Sequence, residues 1–480
     1  MERIVTGLLL SIVLFWTGAC FWVRGDGIPD WWLPVAFGFG ITIATRVRIA
    51  DESPSPRWAR AAAWLVICGA FVMLWHGALS TPSRHWDGAA SFDAKVFWLE
   101  NSPTLQQPFF ATEGVFHHSP DYPLLLPMLV AMVERLAPEF GRVVLPFVYM
   151  LLIGVVSTAL QRRRIAPLLR VAITAAVAVT PSLLTPGGGA VDSGYGECIL
   201  LLATTTTAAG LLNRHSLWFA LGITLMLAAK PEGQAYALLA LAVAYARSER
   251  SLLMIGTVAL TVTAFVWEPV RAALLHREPS FYMTLPVVIA AFATLHLGVV
   301  KLAPRLDTGR NRWLLLAAVP FLGLLAVQWL GPMFAEGNGT MAVYMRQADG
   351  AFAGLANLPA YFAGVFEFGI SRLRLGTTLL IPFAALAVAK HCGIKLHDRS
   401  VLIFALLGVT ATAVPFVLSP EPDLEHHIRS SLPRLLLHWV GPIWLLSASW
   451  LHELLVAADR CEAARTVPGP FSPHSRLRRE

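Results

Sequence analysis

Residues 142–160 read Arg142-Val143-Val144-Leu145-Pro146-Phe147-Val148-Tyr149-Met150-Leu151-Leu152-Ile153-Gly154-Val155-Val156-Ser157-Thr158-Ala159-Leu160, with Arg162-Arg163-Arg164 just beyond. Crossing the hydrocarbon core of a bilayer as a helix takes about 20 apolar residues. This run is of that length, and three arginines end it. Runs of the same kind recur along the chain: 56% of the residues are hydrophobic, 16 are tryptophan, and only 14% are charged. Soluble proteins carry roughly 25% charge, and the mean hydropathy here is +0.61. Such a chain is no ordinary soluble enzyme. Apolar runs this long satisfy their backbone as helices rather than as a barrel.

Working outward from 142–160, the apolar runs and their breakers define about fourteen spans. They lie near 4–23, 31–47, 60–79, 142–160, 165–184, 197–212, 216–229, 234–246, 252–274, 281–300, 313–331, 376–391, 400–418 and 434–456. Tyr122–Leu136 is apolar but short and proline-bounded, which suits an interfacial or re-entrant helix. The first run, from Ile4 to Val23, exceeds the h-region of a signal peptide and lacks its cleavage site. Thr17-Gly18-Ala19-Cys20 is only a faint lipoprotein box, so the run reads as an uncleaved first helix.

The arginine triplet also sets orientation, because basic residues collect on the cytoplasmic side. With the N-terminus inside, Arg46, Arg48, Arg57, Arg60, Arg162–Arg164, Arg214, Arg247, Arg250, Lys390, Lys395 and Arg399 all fall inside. About 24 of the 37 basic residues do so. The net charge of +7 is therefore topology and not nucleic-acid binding. The outer segments are 80–121, 185–196, 332–375 and 419–433. Residues 1–456 form one integral-membrane domain, and the basic, proline-containing end 457–480 reads as a disordered cytoplasmic tail. The five cysteines are scattered and form no CxxC pair, so neither a disulfide framework nor a zinc site is indicated. No internal repeat is visible, which weakens a transporter reading.

The scarce charge gathers in the outer segments. His85-Trp86-Asp87-Gly88-Ala89-Ala90-Ser91-Phe92-Asp93-Ala94-Lys95 combines a carboxylate, a lysine and anchoring aromatics. Lys95 follows Asp87 by two helical turns, on roughly the same face. An isolated Asp87 would be a solvated loop carboxylate; this company points to a site. Downstream stand His117-His118-Ser119-Pro120-Asp121-Tyr122-Pro123, where Asp121 either caps the next helix or serves a site. The histidine pair is a weak metal signal without a spaced third ligand. In the glycine-rich run Thr185–Glu197, Asp192 is again either a cap or a site residue. In Lys230-Pro231-Glu232-Gly233, Glu232 is a favourable first-turn acid, and Lys230 lies at the membrane boundary. Arg434, after Ser431-Leu432-Pro433, opens the last apolar run; it either snorkels to the interface or binds phosphate.

Taken in order, these segments resemble the GT-C class of membrane glycosyltransferases, in the branch of protein O-mannosyltransferases and the bacterial lipid A aminoarabinose transferase. The resemblance covers roughly residues 60–456 and rests on Trp86-Asp87 with Lys95, Asp121-Tyr122-Pro123, Asp192, Lys230-Pro231-Glu232-Gly233 and Ser431-Leu432-Pro433-Arg434. No single motif is specific; the evidence is their order. Three spans precede the first outer loop, two more than the one usual in this class, and the large C-terminal outer domain of some members is absent. The resemblance implies an all-α GT-C bundle of about 12–14 transmembrane helices, with short interfacial helices in its outer loops. It implies transfer of a sugar from a polyprenyl-phosphate donor to a lipid, glycan or protein acceptor at the outer face of a bacterial-type inner membrane. Asp87 is then the general base, deprotonating the acceptor hydroxyl. Lys95, Lys230 and Arg434 bind the donor phosphate, while Asp121, Tyr122, Asp192, Glu232 and His118 orient substrate. Some members use a divalent metal. Two other readings share the topology: a transporter or flippase, which places charge mid-bilayer, and a lipid-linked glycan ligase or polymerase.

Overall fold

The computed structural model describes residues 1–46, 55–80, 88–111, 122–184, 196–276, 343–344, 346–347, 350–371, 375, 378–397 and 399–466. Among these, every regular element is helical and no strand forms. Six helices among the described residues are long and apolar enough to cross a membrane: Glu2–Trp22, Arg57–Leu79, Gly141–Arg162, Arg250–Leu274, Arg399–Val417 and Val440–Glu462. Large apolar side chains also face outward, with Leu65 74%, Val72 69% and Met254 68% exposed. That is the surface of an all-α membrane protein, whose solvent at mid-height is lipid.

The chain begins with a helical hairpin of α1 (Glu2–Trp22) and α2 (Trp32–Arg46). The Trp32 indole N–H donates to the Phe15 carbonyl at 2.9 Å, and Trp22, Trp31 and Trp32 pack edge to face at the turn. This is the aromatic clustering expected at a membrane boundary. The same turn holds the first long connection, since Ile28 N–H donates to Pro103 O and Leu105 N–H to Val23 O. After α3 (Arg57–Ser80), that connection carries a π-helical turn, Gly88–Asp93, and α4 (Ala94–Asn101). Tyr122–Leu136 contains a short helix, α5 (Leu125–Leu136), whose first two turns are buried.

The centre consists of α6 (Val144–Arg162), α7 (Pro167–Ala178), α8 (Glu197–Asn213), α9 (Ser216–Ala229), α10 (Glu232–Ala246) and α11 (Arg250–Leu274). Helix α8 is buried from Glu197 to Leu212. Its Thr204-Thr205-Thr206-Thr207 run is tolerated without water because each hydroxyl donates to a carbonyl three or four residues back. The threonines form a ridge that neighbours approach through glycine. A Cβ on Gly222 of α9 would sit 2.1 Å from Thr207 Oγ1, and one on Gly441 would sit 1.9 Å from Thr205 Oγ1. Small residues allow this close helix packing in membranes. The Thr204 hydroxyl also donates to the His438 carbonyl, tying α8 to the end of the chain.

The remaining helices longer than one turn are α12 (Leu358–Phe366), α13 (Leu380–His391), α14 (Arg399–Ala411), α15 (Leu424–Leu437) and α16 (Val440–Thr466). Two expectations need correction here. Residues 419–433 hold most of α15, a short helix of the kind expected within an outer segment, but that helix runs on past them. The Asp423 carboxylate accepts from His426 N–H at 3.0 Å and starts this helix. The apolar run 434–456 is consequently not one span. Its first residues close α15, the chain breaks at His438-Trp439, and the long helix starts at Val440. The second correction concerns the end of the chain: α16 runs on to Thr466, into the segment assigned to a tail, while 467–480 lie outside the described residues. The expected spans 281–300 and 313–331 also lie outside them.

Three connections at one end of the bundle turn through left-handed residues: Arg164 at φ 57°, Arg214 at φ 52° and Ser248 at φ 56°. They follow α6, α8 and α10 respectively. At that end Arg162 pairs with Glu2, so the start of the chain belongs to it too. The opposite end of α8 holds Glu197.

Candidate functional site

The tight turn between α9 and α10 is the organising element. Lys230 is extended (φ −157°, ψ 158°) where α9 stops, Pro231 fixes the next residue, and Glu232 opens α10. A Cβ on Gly233 would meet the Met226 carbonyl oxygen at 1.9 Å, so only glycine lets the chain double back this closely. The turn drives Lys230 inward, leaving it 5% exposed. Its Nζ lies 2.9 Å from Glu197 Oε1 and 3.6 Å from Glu232 Oε1.

Glu197 is the first residue of α8, buried at the favourable end of the helix dipole. Arg434, in the last turn of α15, reaches the same oxygen from the far side at 4.0 Å. Over the pair lies the Tyr122 ring, with its centroid 5.5 Å from Lys230 Nζ and 6.0 Å from Lys95 Nζ. Phe92 packs on Tyr122 at 6.1 Å. Lys95 itself is fully buried. Five elements thus deliver three cations, two carboxylates and a phenol to one point.

Burial and charge compete here. Burial opposes the Lys230 ammonium, yet Glu197 and Glu232 outweigh it and hold the lysine above its ordinary value. The Tyr122 phenol is raised, chiefly by burial, against the pull of Lys230. Tyr344 is pushed up to about 12, by burial first and then by the Glu232 carboxylate. The lysine stays charged and both phenols stay protonated at neutral pH. Glu197 Oε2, Glu232 Oε2 and His438 Nε2 are buried without a hydrogen-bond partner among the described residues. Unpaired buried acceptors cost about 1–3 kcal/mol each, more when charged, so this point is built for something besides packing.

The structure therefore unites Lys95, Tyr122, Lys230, Glu232 and Arg434. Asp87, His118, Asp121 and Asp192 lie outside the described residues. Between Asp87, outside the described residues, and Lys95, Gly88–Asp93 winds as a π-helix. Glu197, five positions after Asp192, is a site residue that the sequence reading does not name. The signal for it was its place as the first residue of an uninterrupted apolar run, where a carboxylate enters the membrane boundary with its helix. Among the described residues no group of three or more His, Cys, Asp or Glu side chains is arranged to hold a metal ion.

Compared with known proteins, the chain matches no protein-family model and no curated protein.

Proposed function

We propose that the protein is a GT-C-type glycosyltransferase that moves one sugar from a polyprenyl-phosphate donor to an acceptor at the outer face of the cytoplasmic membrane. The observation that carries this reading is the buried cluster of Lys95, Lys230 and Arg434 around Glu197 and Tyr122, at one end of an apolar bundle. A lipid-linked phosphate arrives from the bilayer with its charge at the membrane boundary, and a cationic pocket between helix ends is where that charge is best received. The buried charges of this cluster sit at helix ends and not at mid-span, which supports a transferase over a transporter.

In this mechanism Asp87 accepts the proton of the acceptor hydroxyl as its oxygen attacks the anomeric carbon. The bond from that carbon to the phosphate oxygen breaks, and its electron pair leaves on the phosphate. Lys230, Arg434 and Lys95 take up the developing negative charge, so no protonated second carboxyl is needed, unlike an inverting glycosidase. Glu197 and Glu232 hold Lys230 charged and aimed, Tyr122 covers it, and Asp121, Asp192 and His118 orient the substrates. The sugar inverts at its anomeric centre.

The test is transfer by purified protein in proteoliposomes, with polyprenyl-phosphate sugars as donors. Asp87→Asn is expected to abolish transfer while the protein still inserts, and retained activity would remove Asp87 as the base. Arg434→Ala is expected to raise the donor concentration needed for half-maximal rate by about tenfold, the loss of roughly one charge-assisted contact. An unchanged donor dependence would take Arg434 out of the phosphate site.

A further inference from the structure

At the other end of the same helices lies a second charged region that the transfer reaction does not use. A cavity of about 620 Å³ is lined by Arg163, Arg214, Arg247, Lys395, Arg399 and Glu453. A second cavity of about 330 Å³ shares Arg163, Arg214 and Arg247 with it. Helix α8 spans the distance between the two ends, about 24 Å at 1.5 Å per residue. The region lies well away from Lys230.

Ordinary topology accounts for part of this charge. Helices α6, α8 and α10 end here, and each carboxyl end carries about half a negative charge that favours nearby cations. Two carboxylates add to this. Glu249 pairs with Arg214 at 3.0 Å, and Glu453 accepts from His397 N–H at 2.9 Å. Five permanent cations nevertheless outweigh these groups, and the amino end of α14 adds to the positive side. Counted over the described residues, roughly two positive charges remain uncompensated around the cavity. Among the described residues Arg247, Lys395 and Arg399 make no ion pair; Asp398, between the last two, lies outside them. Although Arg214, Lys395 and Arg399 are themselves exposed, their charge lines a hollow within the usual volume range of ligand sites, roughly 300–1,000 Å³.

We propose that this cavity binds a phosphate-bearing anion. The remaining charge matches one phosphomonoester, at between one and two negative charges, or the one or two phosphodiester charges of an anionic phospholipid. Arginine guanidinium groups receive such a group through paired N–H donors. At a membrane boundary the group arrives either on an anionic phospholipid, for which basic pockets between spanning helices are a recognised receptor, or on a small soluble phosphate.

Native mass spectrometry of the full-length, delipidated protein tests this, with phosphatidylglycerol, cardiolipin and phosphatidylcholine as lipid probes. Inorganic phosphate in thermal-shift assays serves as the soluble probe. The wild type is expected to retain an anionic lipid at least about tenfold better than phosphatidylcholine. Arg247→Gln, Lys395→Gln, Arg399→Gln combined should lose that preference. Arg57→Gln with Arg60→Gln removes exposed charge from the same end but outside the cavity, and should keep it. If phosphate alone stabilises the wild type and not the triple variant, the site holds with a soluble ligand. Equal binding of both probes by wild type and triple variant, or equal loss in the Arg57/Arg60 control, overturns the proposal. Should the triple variant fail to fold, Lys395→Gln and Arg399→Gln are both exposed and carry the same comparison singly, each with a loss of about threefold.

Discussion

Lys230 shows what a buried charge asks of its neighbours. Removing one partner of a buried ion pair typically costs about 3–5 kcal/mol, because the other charge is left stranded. Glu197→Gln is therefore expected to lower the thermal midpoint in detergent strongly, the loss lying near 3 kcal/mol since Glu232 still faces the lysine. Glu197→Leu with Lys230→Met should be less harmful than Glu197→Gln alone. If the double variant is the worse of the two, the pair is not the source of the cost. A second residue carries a pH dependence. His215 caps α9 by accepting from Trp218 N–H at its Nδ1, 3.1 Å away, which requires a neutral ring. Burial, and then nearby Arg162, lower it from 6.5 to about 4. A histidine whose folded value lies below its unfolded one supports the fold only while neutral. Its stabilisation is complete above pH 6.5 and drains away as pH falls toward 4. Thermal midpoints measured from pH 7.5 down to 4.5 should fall less steeply in His215→Asn, which keeps a capping oxygen without a titration. Parallel slopes would clear His215 of any part in acid sensitivity. At this scale the sequence was partly legible. Lys230, Tyr122, Glu232 and Arg434 stand out as polar groups at the margins of apolar runs. Glu197 holds the same kind of position, but the glycine-rich run before it carries Asp192, a second carboxylate with an equal claim to open the span.

Among the elements, α8 shows how polar side chains serve a dry interior. Its threonine hydroxyls turn back onto their own helix, so the ridge presents hydroxyl oxygens whose protons are already used to neighbours that meet it through glycine. Gly441→Ala places a carbon 1.9 Å from Thr205 Oγ1 and is expected to cost about 1–3 kcal/mol by overpacking. Thr205→Ala should recover part of that loss in a double-mutant cycle. Independent, additive losses in thermal midpoint would mean that the two side chains do not collide. The position of α8 was readable from hydrophobicity, but its partners were not, because a glycine in one run does not name the threonine it will meet. Helix α15 was illegible for a different reason. Its polar composition resembles a loop, and only the Asp423 cap and the apolar stripe of Ile428, Leu432 and Leu435 distinguish an amphipathic helix lying at a boundary.

Across the whole molecule, the two charged regions sit at opposite ends of shared helices. Glu197 and Asn213 bound α8, and Glu232 and Arg247 lie at the two ends of α10. Reporter fusions at Ala111 and Arg163 are expected to give opposite signals, outside and inside; the same side for both would void the proposed orientation. That separation was foreseeable from basic residues alone, since every arginine around the cavity falls in a connection assigned to one side. Their convergence on a cavity was not, because hydropathy orders helices along the membrane normal and says little about which ends meet laterally. Arg164 and Arg214 both occupy the left-handed backbone region, where a side chain costs roughly 1–2 kcal/mol that glycine would not incur. Engineers seeking a hardier version for crystallisation would turn to these two positions first. Glycine there would firm up the loops and, in the same stroke, thin the electric field that this face presents to whatever approaches it.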